Sequence, residues 1–270
     1  MSAQTSEWSP GRPAKWPVQA PLLVTKQEDI RWLRLNRPQR RNALNPELVA
    51  ALDAAIADAC ADPSTRIVII TGAGPSFCTG ADLRHLQAIA ADGNDPRAFL
   101  SAVSRCFTSL ECCPKPVVAA VHGHVVAGGL ELALACDVVV AVDGTLIGDG
   151  HVRNGLLPAG GASVRLPRKV GEPLARWLLL TGQLLPAEAF IPSGFVHATA
   201  PAQQFNDLIA NVAAALRSAQ QAAQARIKQL LAEEATSRTA ALASELDTFA
   251  GHWTGNDIAA QLKAFFARDT

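Results

Sequence analysis

No charge of either sign dominates this chain: 24 lysines and arginines are balanced by 24 aspartates and glutamates over 270 residues. That balance argues against a general binder of nucleic acid or anionic membrane, leaving room only for a local basic patch. No apolar run reaches the length needed to span a bilayer. The opening MSAQTSEWSPGRPAKWPVQAP lacks the apolar centre of a secretory signal, so a cytoplasmic protein is expected. A long polar run is also missing from the middle of the chain, which points to one large domain, or to one domain with a helical tail.

Two common ligand-binding patterns are absent as well. GAGPSFCTGADL, residues 72–83, follows an apolar strand as a nucleotide loop would. Phe77 nevertheless stands where G-x-G-x-x-G needs its third glycine, and no G-K-[ST] follows. A loop that lets backbone approach a ligand, running into a helix capped by Asp82, fits better than an ordinary turn. The six cysteines, at 60, 78, 106, 112, 113 and 136, lie mostly in apolar or helical contexts and are expected to be reduced, buried, small hydrophobes. Cys112, Cys113, His122 and His124 match no closed tetrahedral zinc pattern, because adjacent cysteines chelate poorly, so no metal is expected.

What the chain does have is apolar mass, 49% of residues, and one stretch that reads as a site: Lys115–Asp137, KPVVAAVHGHVVAGGLELALACD. Pro116–Val121 reads as a buried strand, followed by a short polar turn and a helix opening on Gly128-Gly129. Glycines there let another group approach backbone N–H donors, and a helix start favours negative charge. Glu131 sits about one turn on. Anion-stabilising donors beside a carboxylate on a rigid apolar helix are what proton transfer next to a carbonyl requires.

On either side the pattern is α/β. Leu22–Lys26 and Ile30–Leu35 read as strands, and Asn45-Pro46-Glu47 starts a helix with Leu48, Leu52, Ala55, Ile56 and Ala59 on its apolar face. Arg66–Thr71 is a strand of the type buried on both faces. Asp95–Glu111 is a helix whose Phe99, Val103, Cys106, Phe107 and Leu110 form a core stripe. Val138–Val142 and Thr145–Gly148 are short strands, and Asp149–Arg165 is a glycine-rich loop that must pack tightly. Leu166–Leu180 and Pro186–Ala189 read as helical, and Val196–Ala200 as a last strand. Beyond Pro201 come Ala-rich helices at about 203–218, 220–234, 238–251 and 256–268, with no repeat that persists. Their second faces suit self-association.

NRPQRRNALNPEL, ITGAGPSFCTGADL, KPVVAAVHGHVVAGGLELALACD, GLLPAGGASVRLPRKVG and LLLTGQ together resemble the crotonase superfamily, the enoyl-CoA hydratase/isomerase proteins. The likeness runs in register from about residue 22 to 200, and more weakly beyond. It implies a crotonase-type spiral of repeated ββα units with a C-terminal helical region. The corresponding layout is a loose arm over 1–20, an α/β core over 21–200, and helices over 201–270 that mediate oligomerisation or cover coenzyme A. It also implies a homotrimer or dimer of trimers, and an acyl-CoA thioester substrate whose coenzyme A is the only cofactor-like group.

By position, the resemblance places the oxyanion hole at the backbone N–H groups of Ala81 and Gly128. Arg41, Ala43, Asp82 and Leu83 match positions lining the coenzyme A groove; Phe265 and Arg268 match the C-terminal aromatic and basic positions that reach it. One of the hydratases' two glutamates matches Glu131. The other falls on His151, which is a departure: this imidazole could replace the second acid–base group, orient water, or fill space. Asp149 is the nearby carboxylate that would hold it in one tautomer. His124, where the family often has an aromatic residue, could add a further imidazole to the pocket. His122 is expected in the turn's hydrogen-bond network, and the structural alternative for Glu131 is pairing with an arginine. The segment Arg84–Arg97 is expected to shape the acyl pocket. Hydration of a 2-enoyl-CoA is the leading expectation. Double-bond isomerisation, C–C bond cleavage and an inactive CoA-ester-binding protein are the alternatives.

Overall fold

A hairpin opens the fold, β1 (Leu22–Gln27) and β2 (Ile30–Leu35), paired antiparallel from Leu22↔Leu35 to Gln27↔Ile30. The computed structural model describes residues 20–233 and 235–268; the side chains of 233, 235–237 and 268 fall outside that description, as do residues 1–19 of the expected N-terminal arm. Asn45 caps α1 (Pro46–Ala61) by accepting from the Leu48 N–H, with Pro46 inside the first turn. β3 (Ile67–Gly72) then lies parallel to β2. Its uninterrupted apolar run is explained by cover on both faces: Val68 and Ile70 belong to the main core, Ile67 and Ile69 to a second cluster behind the sheet. Asp82 caps α2 (Leu83–Ala91) through the Arg84 N–H, and α3 (Arg97–Cys112) buries its expected stripe.

The next turns repeat one plan. β4 (Val117–Val121), β5 (His124–Val126) and α4 (Gly128–Leu134) make one; β6 (Val138–Val142), β7 (Leu146–Gly148), a 3-10 turn at His151–Asn154 and α5 (Ala162–Val170) make the next. α6 (Glu172–Thr181), β8 (Leu185–Pro186), a 3-10 turn at Ala187–Phe190 and β9 (Ala198–Ala200) complete the core. The large sheet runs β1-β2-β3-β4-β6-β9 and the small one β5-β7-β8. Each turn therefore places one strand in the large sheet, one in the small sheet and then a helix, the expected ββα spiral. The turn after β3 follows suit through the parallel bridge Cys78↔Val125.

α7 (Phe205–Ser218) covers the back of the large sheet with Phe205, Ile209, Val212 and Ala213. α8 (Gln221–Glu233), α9 (Ala235–Gly255) and α10 (Ile258–Arg268) follow. α9 packs on α3 and α5, and α10 on α2. No helix among the described residues is long and apolar enough to cross a membrane.

Three local expectations give way to tertiary context. The polar turn after β4 contains β5, which exists because β7 supplies its partner. The helix expected over Leu166–Leu180 is two, broken at Gly171 (φ 81°), and the first begins at Ala162 inside the expected loop. Of the cysteines, all six free, Cys112 is exposed and Cys60 half-buried.

Asn42 shows how the loops leading to the site are fixed. It is fully buried with φ 56°, donates to the Ala73 and Ser76 carbonyls at 2.8 Å each, and accepts from the Arg37 N–H at 2.8 Å. Asparagine tolerates this left-handed backbone; alanine does so poorly and would leave two carbonyls unpaired. Asn42→Ala is expected to cost about 2–4 kcal/mol, read from the urea-unfolding midpoint.

Candidate active site

α4 is apolar on all sides and buried throughout, which places it inside the core; Glu131 is its only charged residue. The chain enters α4 through Ala127, whose φ 53° and ψ −119° lie in a region that costs a non-glycine residue on the order of 1–3 kcal/mol. That bend brings the start of α4 against the 78–82 loop. A Cβ on Gly128 would lie 3.1 Å from Gly80 Cα, and one on Gly80 would lie 3.0 Å from the Gly128 nitrogen, so a side chain at either position would crowd the other's backbone. Flanking amides are engaged: Ala127 N–H with the Gly148 carbonyl, Asp82 N–H with the Leu44 carbonyl. Among the described residues, the Ala81 and Gly128 N–H groups have no such backbone acceptor.

Both residues line one cavity. Leu44, Leu83, Leu86, Leu100, Val103 and Phe249 form its apolar wall. Among the described residues, Glu131 and His151 are its only ionisable lining groups.

The Glu131 carboxylate is buried, 2% exposed, and accepts from the Gly160 and Ala162 N–H groups at 2.8 and 3.0 Å through Oε1. Oε2 is the oxygen left for a ligand. A Cβ on Gly160 would come within 2.5 Å of that oxygen, so glycine is required where the carboxylate rests. Burial pushes the Glu131 carboxyl up, helped by the charges of Glu245 and Asp149 and opposed by His151 and the Ala162 amide, to about 7. His151 Nδ1 donates to Asp149 Oδ1 at 2.9 Å, which fixes the ring and leaves Nε2 for a ligand. Burial alone would lower the His151 pKa; the charge and hydrogen bond of Asp149, then Glu131 and Glu245, outweigh it and raise the imidazole to about 9. Between these two values a carboxylate base and an imidazolium acid coexist in one cavity. The site raises both groups together, so the carboxyl still ionises before the imidazolium is lost and the two take opposite proton roles.

The structure brings together Ala81, Gly128, Glu131, His151 and Leu83 on the cavity wall. Arg41 stands outside it, exposed, its carbonyl accepting from the hydroxyl of Thr79, a wall residue, at 3.4 Å. Ala43 and Asp82 are buried and brace the loop through Arg37, which donates to the Ala43 carbonyl and pairs with Asp82 at 2.8 Å. His124 is not in the cavity: its Nδ1 lies 3.4 Å from the Ser76 hydroxyl, and burial together with Arg41 holds its pKa below the usual range. His124 and the wall residue Val126 lie two apart on β5, on the same side of the strand with the buried Val125 between them, and only Val126 reaches the cavity. His122 is buried beside the Gly74 carbonyl at 3.0 Å, in the turn's network as expected, and burial lowers it to about 4.

Phe265 lies on α10, edge-on to Phe266 and away from this cavity, while the Arg268 side chain lies outside the described residues. Glu131 has no arginine partner among the described residues; Arg165 pairs with Glu111 instead, at 2.8 Å. From Arg84–Arg97 only Leu86 reaches the wall, where it joins Leu44, Leu83, residues of α3, Leu156, Leu157 and Phe249 of α9. Two contributors escaped the sequence reading, Phe249 and Glu245 of α9. The only signal was their i, i+4 spacing in an otherwise Ala-rich helix.

Ala81 and Gly128, lining one cavity with a buried carboxylate and an imidazole, fit a crotonase-type enzyme, and the shape of the chain agrees. The structure of an enoyl-CoA hydratase from Mycobacterium avium subsp. paratuberculosis superposes with a TM-score of 0.82 at 29% identity, covering 90% of this chain and 98% of that one. An enoyl-CoA hydratase from Mycobacterium tuberculosis H37Rv superposes with a TM-score of 0.75 at 38% identity, covering 88% and 98%. In sequence, a crotonyl-CoA hydratase of Syntrophomonas wolfei is 31% identical over 250 residues, 92% of this chain and 95% of that protein. The sequence model of the enoyl-CoA hydratase/isomerase family matches residues 25–268, and the chain belongs to that family.

Proposed function

We propose that the protein hydrates a 2-enoyl-CoA thioester. The reading is carried by one observation: Glu131 and His151, with opposite proton preferences, share a cavity with the Ala81 and Gly128 amides. The thioester oxygen accepts from those two N–H groups, and the acyl chain lies along the leucine and phenylalanine wall. A water held by Glu131 Oε2 and His151 gives its proton to Glu131 while its oxygen bonds to C3. The C2=C3 electrons move toward the thioester, whose oxygen becomes an enolate under the two amides. His151 Nε2–H then delivers a proton to C2. The product is the 3-hydroxyacyl thioester, and proton exchange from Glu131 to His151 through solvent restores both groups. One oxyanion donor of this kind is worth about 10²–10³ in rate. These steps use no cofactor beyond the substrate's coenzyme A.

Isomerisation needs only one proton shuttle; the pairing of two groups favours hydration. Crotonyl-CoA and a 3-enoyl-CoA separate the cases. Hydration removes the conjugated-thioester absorbance of crotonyl-CoA, whereas isomerisation creates that absorbance from the 3-enoyl substrate. We expect the first at the greater rate. Saturable binding without turnover of either would replace the proposal with a CoA-ester-binding protein.

Self-association into a homotrimer or dimer of trimers is proposed alongside. It is supported by exposed apolar side chains on separate elements, Ile227, Leu230 and Leu231 of α8 and Trp177 and Leu180 of α6. Light scattering that returned a monomer would remove it.

A further inference from the structure

α9 carries a buried carboxylate, Glu245, that the reaction scheme above does not use. It accepts from the Gly161 N–H at 2.6 Å, from the Ser163 N–H at 2.9 Å, and from the Ser163 hydroxyl. Glu131 accepts from the intervening amides, Gly160 and Ala162. The amides of residues 160–163 are thus dealt alternately to two carboxylates, one from α4 and one from α9. Gly161, at φ 105°, lies at the centre of this arrangement. Arg165 grips the Gly160 carbonyl at 2.6 Å. Among the described residues Glu245 forms no ion pair.

The same face of α9 continues to the rest of the site. Phe249, one turn along, enters the cavity wall, and His252 Nε2 lies 2.7 Å from the Gly155 carbonyl, at the end of the turn that carries His151.

We propose that Glu245 is a positioning residue for Glu131: by holding the Gly161 and Ser163 amides, it fixes the Gly160 and Ala162 amides that aim the Glu131 carboxylate. This rests on Glu131 being the acid–base group. A misplacement of about 1 Å at such a group costs on the order of 10²-fold in rate. Glu245 also adds negative charge to a cluster holding Asp149 and His151 from the loop after β7, with Arg165 of α5 and Arg238 of α9 both paired to Glu111 of α3. Removing that charge makes ionisation of Glu131 easier.

The test is a pair of variants assayed with crotonyl-CoA across pH, with thermal melts to confirm folding. Glu245→Gln keeps an acceptor oxygen and loses the charge. Able to hold only one of the Gly161 and Ser163 amides, it is expected to lower kcat less than Glu245→Ala does, with the acidic limb of the pH–rate profile displaced downward by about one pH unit, the low end for a nearby charge. Glu245→Ala loses both and is expected to lower kcat about 10–100-fold with KM changed far less. A merely structural role would lower the melting temperature and leave the acidic limb in place. Wild-type kcat and an unmoved limb in both variants, with Glu131→Gln inactive, would overturn the positioning role alone. Full activity in Glu131→Gln would overturn the functional reading and this proposal with it.

Discussion

Glu131→Gln is expected to lose about 10²–10⁴ in turnover of crotonyl-CoA while the fold and CoA-ester binding persist. Glutamine keeps the size and one acceptor oxygen, so the Gly160 and Ala162 amides still find a partner. What it loses is the ability to take a proton from water. The charge it removes is also one that burial opposes, so a melting temperature at or above that of the parent is expected. An unchanged rate would take Glu131 out of the chemistry. Activity lost together with the melting transition would instead indicate that the carboxylate is structural.

His151→Ala is expected to be nearly as severe, about 10²–10⁴, because it removes the proton donor and leaves Asp149 buried, 1% exposed, without its partner. The pH profile separates this role from space-filling. In the parent, activity should rise as pH passes about 7, where Glu131 loses its proton and becomes a base, and fall as pH passes about 9, where the His151 imidazolium is lost. The variant should keep whatever residual rate it has without the alkaline limb. Asp149→Asn should draw that limb toward neutrality, because the charge that raises His151 is gone. Wild-type rates in His151→Ala would relegate the imidazole to packing.

The residues visible in the sequence were those whose roles are local. Asn45-Pro46 starts a helix wherever it occurs, the apolar run of β3 declares a strand covered on both faces, and Gly128 with Glu131 sit three residues apart on one short helix. The start of α5 was not visible, because its capping groups come from elsewhere. Gly161 stands at its N-cap without a side chain to offer, and the carboxylates that receive its first amides lie at positions 131 and 245. Read locally, Gly160-Gly161 is a loop. β5 was hidden for a similar reason: three residues declare no strand until a neighbouring chain segment pairs with them. His151, expected from its register with GLLPAGG, lines the cavity, whereas His124 does not.

Phe249 and Glu245 come from the penultimate helix, whereas Glu131 and His151 precede them by roughly a third of the chain. Synthesis runs from the N-terminus and domains fold as units, so the reactive groups leave the ribosome well before the side chains that wall them in and steady them. A nascent chain at that stage presents an unfinished cavity to the cell's acyl thioesters. The Phe249 wall and the Glu245 brace come into place only once α9 has been made, so the site is assembled late in synthesis.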